Sequence, residues 1–433
     1  MRKFLYMLVA ATLTFAGCSA SDGGGAGPQV GTPACENDSQ KLFVLETMRD
    51  IYFWYDLLPV SVDGSLYASP EELLAFLVSF QPLDDFTFIT SAEADAQFFG
   101  AGQFEGFGFS TRFEAADDLR FTRVFSGSPA ALAGFQRGQR ILELDGRTIA
   151  EIEANEGLNV VFDQSPLEFT IRNLDASEFI VTVSHDVVTI DPLPQWRVID
   201  MGGVPVGYVE FATFVSTADP VFNDVFSDFN AAGVTDVIID MRYNGGGLVN
   251  TARLLGDHLG GSVPGQLFSI TVFNDKNTFR NETELFEPIP NSMNLSRLVV
   301  IATSGTASAS ELVINSMETH ADVTIVGDTT FGKPVGQVGA LFCDKILRAT
   351  AFETLNSLNE GGYFNGLPVD CSATDDITEV VGSATDPNLI AALTYLETGA
   401  CPPAPAMLKS KLDTGFRQSS LRRPASREFA GAY

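Results

Sequence analysis

Histidine is scarce in this chain: 433 residues hold only His185, His258 and His320. None stands at a spacing that suggests a zinc site, so no metal or other cofactor is expected. A Ser-His-Asp triad is not excluded by counting, but His320 closes a predicted helix, where a C-terminal cation is ordinary. Basic residues are few as well. Lys and Arg number 26 against 55 Asp and Glu, a formal net charge of −29. That balance disfavours nucleic acid or anionic lipid as partners of the protein body. The acidic residues are spread along the chain, and solubility accounts for them. The apolar run near the start, Phe4 to Phe15, is too short to span a bilayer. No internal repeat is found. The apolar content of 45%, with 39 Gly and 21 Pro, fits a globular chain of two or three domains.

The N-terminus reads as a targeting segment. Met1-Arg2-Lys3 supplies positive charge, Phe4 to Phe15 an apolar core, and Ala16-Gly17-Cys18 a small-residue cleavage site. It looks like a bacterial lipoprotein signal over residues 1–17, with Cys18 the lipidated first residue and the lipid anchor the only membrane contact. Ser19 rather than Asp after Cys18 points to the periplasmic face of the outer membrane in a Gram-negative cell. Residues 18–34, rich in Gly, Ser and Pro, read as a flexible tether. Cys35, Cys343, Cys371 and Cys401 remain, an even number that suggests two disulfides in an exported protein. Three pairings are possible; Cys343 with Cys371 and Cys35 with Cys401, a local loop and a clasp between the ends, is the one preferred. Residues 401–433 form a basic, weakly apolar tail that reads as disordered.

Three patches carry chemistry. Leu298–Ala302 is an apolar strand followed by Thr303-Ser304-Gly305-Thr306-Ala307-Ser308-Ala309-Ser310-Glu311. A helix is predicted from there to His320, with a Ser-x-x-Glu capping pattern at Ser308. A serine at that turn stands near free backbone N–H groups able to hold an oxyanion. Val323–Asp328 is a second strand, followed by Thr329-Thr330-Phe331-Gly332-Lys333-Pro334-Val335-Gly336-Gln337. The third patch is a buried strand, Val237 to Asp240, running into Met241-Arg242-Tyr243-Asn244-Gly245-Gly246-Gly247. Consecutive glycines allow positive φ and close backbone approach. No Gly-Lys-Ser/Thr follows them, which argues against a phosphate loop.

Ala307-Ser308-Ala309-Ser310-Glu311, Gly332-Lys333 at the same separation, and Gln337 four residues on resemble the carboxy-terminal processing (tail-specific) serine peptidases. Thr306 and Pro334 depart from the family's commoner Ser and Gly; neither removes a reacting atom. The resemblance implies that Ser308 is the nucleophile, Lys333 the general base and Gln337 the residue that orients Lys333. It also implies an oxyanion hole from Ala309 and Gly246, with Gly245 the alternative to Gly246. The implied fold is α/β: a tricorn-like, crotonase/ClpP-like ββα core over 188–400, preceded by an N-terminal helical domain over 35–103 and a PDZ domain over 104–186.

The helical expectation rests on apolar spacing from Lys41 to Tyr52 and on Ser69-Pro70-Glu71-Glu72. The PDZ expectation rests on Gly127-Ser128-Pro129-Ala130 and Gly138-Gln139-Arg140-Ile141, with Gly106-Phe107-Gly108-Phe109 as the peptide-carboxylate loop. Substrates are then proteins or peptides with free C-termini. Two other classes compete: an inactive PDZ adapter, which the presence of Ser308, Lys333 and Gln337 disfavours, and acyl-CoA chemistry on a crotonase-like core, which export disfavours. Oligomeric state is not legible.

Overall fold

Asp236–Asp240 is buried at every position and lies inside a six-stranded sheet. The strands run in chain order: Gln195–Met201, Val204–Glu210, Asp236–Asp240, Arg297–Ala302, Asp322–Gly327 and Cys371–Ser372. The first pair is antiparallel and all the others are parallel. Successive side chains point to opposite faces. Val237 and Ile239 pack under the helices Ala218–Ala231, Val249–Leu259 and Ala309–Met317. Ile238, with Tyr208, Val299 and Ile301, packs under Pro387–Thr398. Covering both faces is what near-continuous apolar strands require, and each fully buried Val or Ile contributes about 1.5–3 kcal/mol. The three patches leave this sheet at the C-terminal ends of three adjacent strands, after Asp240, Ala302 and Gly327. Open α/β sheets bind ligands at that end.

This computed structural model describes residues 35–403. The expected signal peptide, Cys18, the whole tether and nearly all of the basic tail lie outside the described residues. Among the described residues, no helix is long and apolar enough to cross a membrane.

A second sheet stands beside the first. Its long strand Lys345–Leu355 pairs with Val335–Phe342 on one side and with Phe88–Ser91 and Leu267–Phe273 on the other. The helices Asn37–Ile51 and Pro70–Val78 lie on it, where Phe43, Val44, Met48, Leu73 and Leu77 share a core with Phe342, Leu347, Ala349 and Phe352. Pro70 opens its helix and the Ser69 hydroxyl accepts from Glu72 N at 3.2 Å. The helices of the N-terminal segment, expected as a helical domain over 35–103, are thus packed on the second sheet. Their apolar stripe is covered by that sheet, to which the segment also adds a strand.

Residues 103–189 form a third unit around a phenylalanine-rich core that includes Phe107, Phe109, Phe121, Phe135, Phe162 and Phe169. Phe109–Ala115 is an edge strand of its main sheet. A two-stranded ribbon, Gln103–Gly106 with Asp186–Thr189, lies at its junction with the rest of the chain.

The disulfides are Cys35–Cys343 and Cys371–Cys401, so the preferred pairing is overturned. Cys343 occupies the turn joining Val335–Phe342 to Lys345–Leu355, next to the start of the first helix. Its Cα lies 5.7 Å from that of Cys35. Cys371 lies on the last strand of the central sheet, and the closing helix Pro387–Thr398 returns the chain to it, with Cα atoms of Cys371 and Cys401 5.1 Å apart. The segment Gly362–Cys371 is likewise not simply a surface loop. Leu367 is buried, and its N–H and C=O bond to Thr330, beside the lysine patch.

Candidate active site

Ser308 follows the turn after Arg297–Ala302 and precedes the helix Ala309–Met317, shorter than the helix expected to His320. Its φ of +55° is a strained value for a residue with a Cβ. Tertiary hydrogen bonds hold the turn in place. Thr306 Oγ1 donates to Met241 O (2.8 Å), Ala307 N to Asn244 O (3.0 Å) and Ser310 Oγ to Asn244 O (3.0 Å). The serine patch is thereby fastened to the glycine patch.

Gly246 packs directly against the serine turn. A Cβ there would fall 2.8 Å from Ala307 O, Ala309 N and Ser308 Cβ, and its φ is +98°. Its N–H donates to Asn244 Oδ1 at 3.0 Å, so of the two glycine amides expected to serve an oxyanion, that of Gly246 is committed to Asn244. Ala309 is the first residue of its helix, whose opening N–H groups have no partner within the helix.

Glu311 joins the serine patch to the lysine patch. Its Oε2 accepts from Ser308 N (2.9 Å) and Lys333 N (2.8 Å). Its Oε1 accepts from Thr330 Oγ1 (2.6 Å) and Gly332 N (2.7 Å). The side chain is fully buried, and burial pushes its carboxyl above the usual range against four hydrogen bonds that favour the charged form. In the sequence Glu311 is legible as a helix cap and as the last residue of the serine motif. The Ser-x-x-Glu pattern located it but carried no sign of its bonds to residues 330–333.

Lys333 Nζ donates to Gln337 Oε1 at 3.0 Å, and Gln337 Nε2 donates to Phe86 O at 2.5 Å and Arg348 O at 3.3 Å. Ser308, Lys333 and Gln337 are all half-buried. Among the described residues, no three His, Cys, Asp or Glu side chains gather as metal ligands would.

Behind the glycine patch lies a buried charge cluster that the sequence reading missed. Arg242 bonds to Asp240 (2.6 Å), Asp386 (2.5 Å) and Asp375 (3.2 Å). Arg112 and Arg137, from the unit at 103–189, also reach Asp375, at 2.6 and 2.8 Å. Burial raises the Asp375 carboxyl, but Arg137, Arg112 and Arg242 outweigh it and hold the group far below the usual carboxylate range. Tyr243, at φ +62°, donates its hydroxyl to Asp375 and accepts from Arg137 at 2.9 Å. Its hydroxyl is pushed up to about 12, first by burial and then by Asp375.

Gly106, Phe107, Gly108 and Phe109, the expected peptide-binding loop, are all buried. The two rings lie in the phenylalanine core. Phe107 O accepts from Ala130 N, and Gly108 O from Phe125 N and Ser128 Oγ. The loop is thus packed against the start of the Pro129–Leu132 helix and is covered in this conformation.

Residues 39–88 match the model of the peptidase S41 N-terminal domain, and residues 205–366 that of peptidase family S41. A chloroplastic C-terminal processing peptidase of Tetradesmus obliquus is 28% identical over 253 residues, covering 54% of this chain and 52% of the relative. A carboxyl-terminal-processing protease of Synechocystis sp. is 26% identical over 312 residues, covering 69% of each. This chain therefore spans about half the length of the first relative. A solved Bacteroides fragilis structure assigned to S41 superposes with a TM-score of 0.66 at 23% identity, covering 83% of this chain and 97% of that one, a likeness of fold. Matches to both S41 models, together with the carboxyl-terminal-processing relatives, support the assignment of this chain to peptidase family S41.

Proposed function

We propose that this protein is a serine endopeptidase of the C-terminal processing type in which Ser308 and Lys333 act as a dyad. One observation carries the reading: a single carboxylate, Glu311, draws the Ser308 and Lys333 amides to within 3 Å of one oxygen atom. In the reaction Ser308 Oγ attacks the scissile carbonyl while the neutral Lys333 amine takes its proton. The tetrahedral oxyanion accepts from Ala309 N–H and from one amide of the Gly245–Gly246 turn. Because Gly246 N–H is held by Asn244, that donor serves only when Asn244 turns away; Gly245 carries no such commitment. Lysine then returns the proton to the leaving amine, leaving an acyl-serine. Water attacks the ester with Lys333 again as base. An unperturbed lysine has a pKa of about 10.4, so this role needs surroundings that disfavour its charge.

Residues 104–186 are read as a PDZ domain that selects proteins by their C-termini. The edge strand Phe109–Ala115 offers the geometry for adding a peptide strand, and the buried Gly106–Phe109 loop has to be uncovered for that. Peptides with a free C-terminal carboxylate should then be cleaved faster than their amides. Equal rates would remove selection through this loop. Anchoring through Cys18 completes the reading: Cys18→Ser should abolish incorporation of a palmitate analogue, and continued labelling would refute the anchor.

A further inference from the structure

The Lys333 side chain is held partly by a residue from outside the region that bears the catalytic patches. Its Nζ lies 5.1 Å from the ring centroid of Phe86, within the range where an aromatic face attracts a lysine head group. The carbonyl of the same residue accepts from Gln337 Nε2 at 2.5 Å, and Gln337 Oε1 in turn accepts from Lys333 Nζ at 3.0 Å. Phe86 therefore meets the lysine twice, once through its ring and once through its backbone by way of Gln337.

Phe86 is itself fixed with some care. Asp84 Oδ1 accepts from Phe86 N and Thr87 N, both at 3.0 Å, and from Thr350 Oγ1 at 3.1 Å. Thr350 N donates to Thr87 Oγ1 at 3.0 Å. These bonds fasten the segment to the long strand Lys345–Leu355. The Phe86 ring also packs edge-on against Phe331, two residues before Lys333. A surface loop with no duty at the site would not call for an aspartate with three donors behind it.

We infer that Phe86 is a positioning residue for the catalytic lysine, so that the N-terminal segment completes the active site rather than only packing beside it. The ring limits where the lysine head group can go, and the carbonyl fixes the rotamer of Gln337. This rests on the Ser308–Lys333 reading. It places the effect of Phe86 in the chemical step, because the residue acts on the base.

The test uses the full chain and one quenched-fluorescence peptide selected from the casein bonds that the wild type cleaves. Phe86→Leu, which removes the ring and keeps the carbonyl, should lower kcat about tenfold or more with KM within twofold. Phe86→Tyr, which restores the ring, should stay within twofold of wild type in both. Thermal unfolding is followed for each variant, and Phe86→Met replaces Phe86→Leu if the latter does not fold. Unchanged kcat in the ringless variant, a loss confined to KM, or a Tyr variant as slow as the Leu variant would each overturn the inference. Lys333→Ala separates the two levels. If it is inactive while the ringless variant is not slowed, the inference alone falls. If it retains wild-type kcat, the dyad falls and the inference with it.

Discussion

Ser308 and Lys333, 25 residues apart in the chain, donate their backbone N–H groups to the same oxygen of Glu311, at 2.9 and 2.8 Å. A strand-to-helix turn and a glycine loop from neighbouring strands are thereby registered on one buried carboxylate. The arrangement needs an acceptor on both of its oxygens, since all four bonding groups are donors.

Glu311→Gln is expected to fail in that role although it conserves volume. An amide presents N–H groups where at least one pair of donors now points. Leaving buried donors unpaired should cost about 2 kcal/mol or more. Displacement of either loop by about 1 Å should lower kcat roughly 100-fold. Denaturant titration and steady-state kinetics on the same preparation check both.

Ser308 holds φ +55°, a conformation glycine adopts without penalty. Ser308→Gly should therefore be inactive yet more stable than wild type by about 1 kcal/mol. Ser308→Ala, equally inactive, should gain nothing from backbone relief. Calorimetric unfolding of the pair separates strain at residue 308 from simple loss of the hydroxyl. Equal stability of the two variants would show that no strain is stored there.

Acid should weaken the fold in two stages. His258 is fully buried against Phe226 and Phe222. Burial pulls its pKa down to about 4, with a contact to the Asn291 backbone opposing. The unfolded chain takes up this proton near pH 6.5 and the folded chain only near 4, so stability falls as pH drops through that window, by roughly 3 kcal/mol. Asp375 follows. Its depressed pKa means that its contribution is present above about pH 3.9 and is lost as pH falls further. His258→Phe should flatten the first stage and leave the second. Stability curves from pH 8 to 3 would show it.

The patches were legible in sequence because their signals are local. Val237–Asp240 is an unbroken apolar run into glycines, and Ser308, Lys333 and Gln337 sit at fixed separations inside short unusual stretches. What escaped reading depends on contacts between distant residues. Asp375 lies 133 residues from Arg242, and Phe86 lies 251 from Gln337; neither has a neighbour in sequence that marks it. The disulfides failed for the same reason. Nearness in sequence favoured Cys343 with Cys371, but the chain between them returns to the central sheet, while Cys343 turns toward the first helix. The N-terminal helices were read correctly as amphipathic, yet their spacing says nothing about which surface covers them.

Lys333→Arg is the most direct test of the dyad. Arginine keeps a cation and its reach but is not deprotonated in the range where the enzyme works. With a disordered protein such as casein as substrate and product bonds identified by mass spectrometry, wild type should cleave, its rate rising with pH and unaffected by EDTA. Lys333→Arg should be as inactive as Ser308→Ala. Substantial turnover by Lys333→Arg would mean that Lys333 serves only as a structural cation, and would contradict the account.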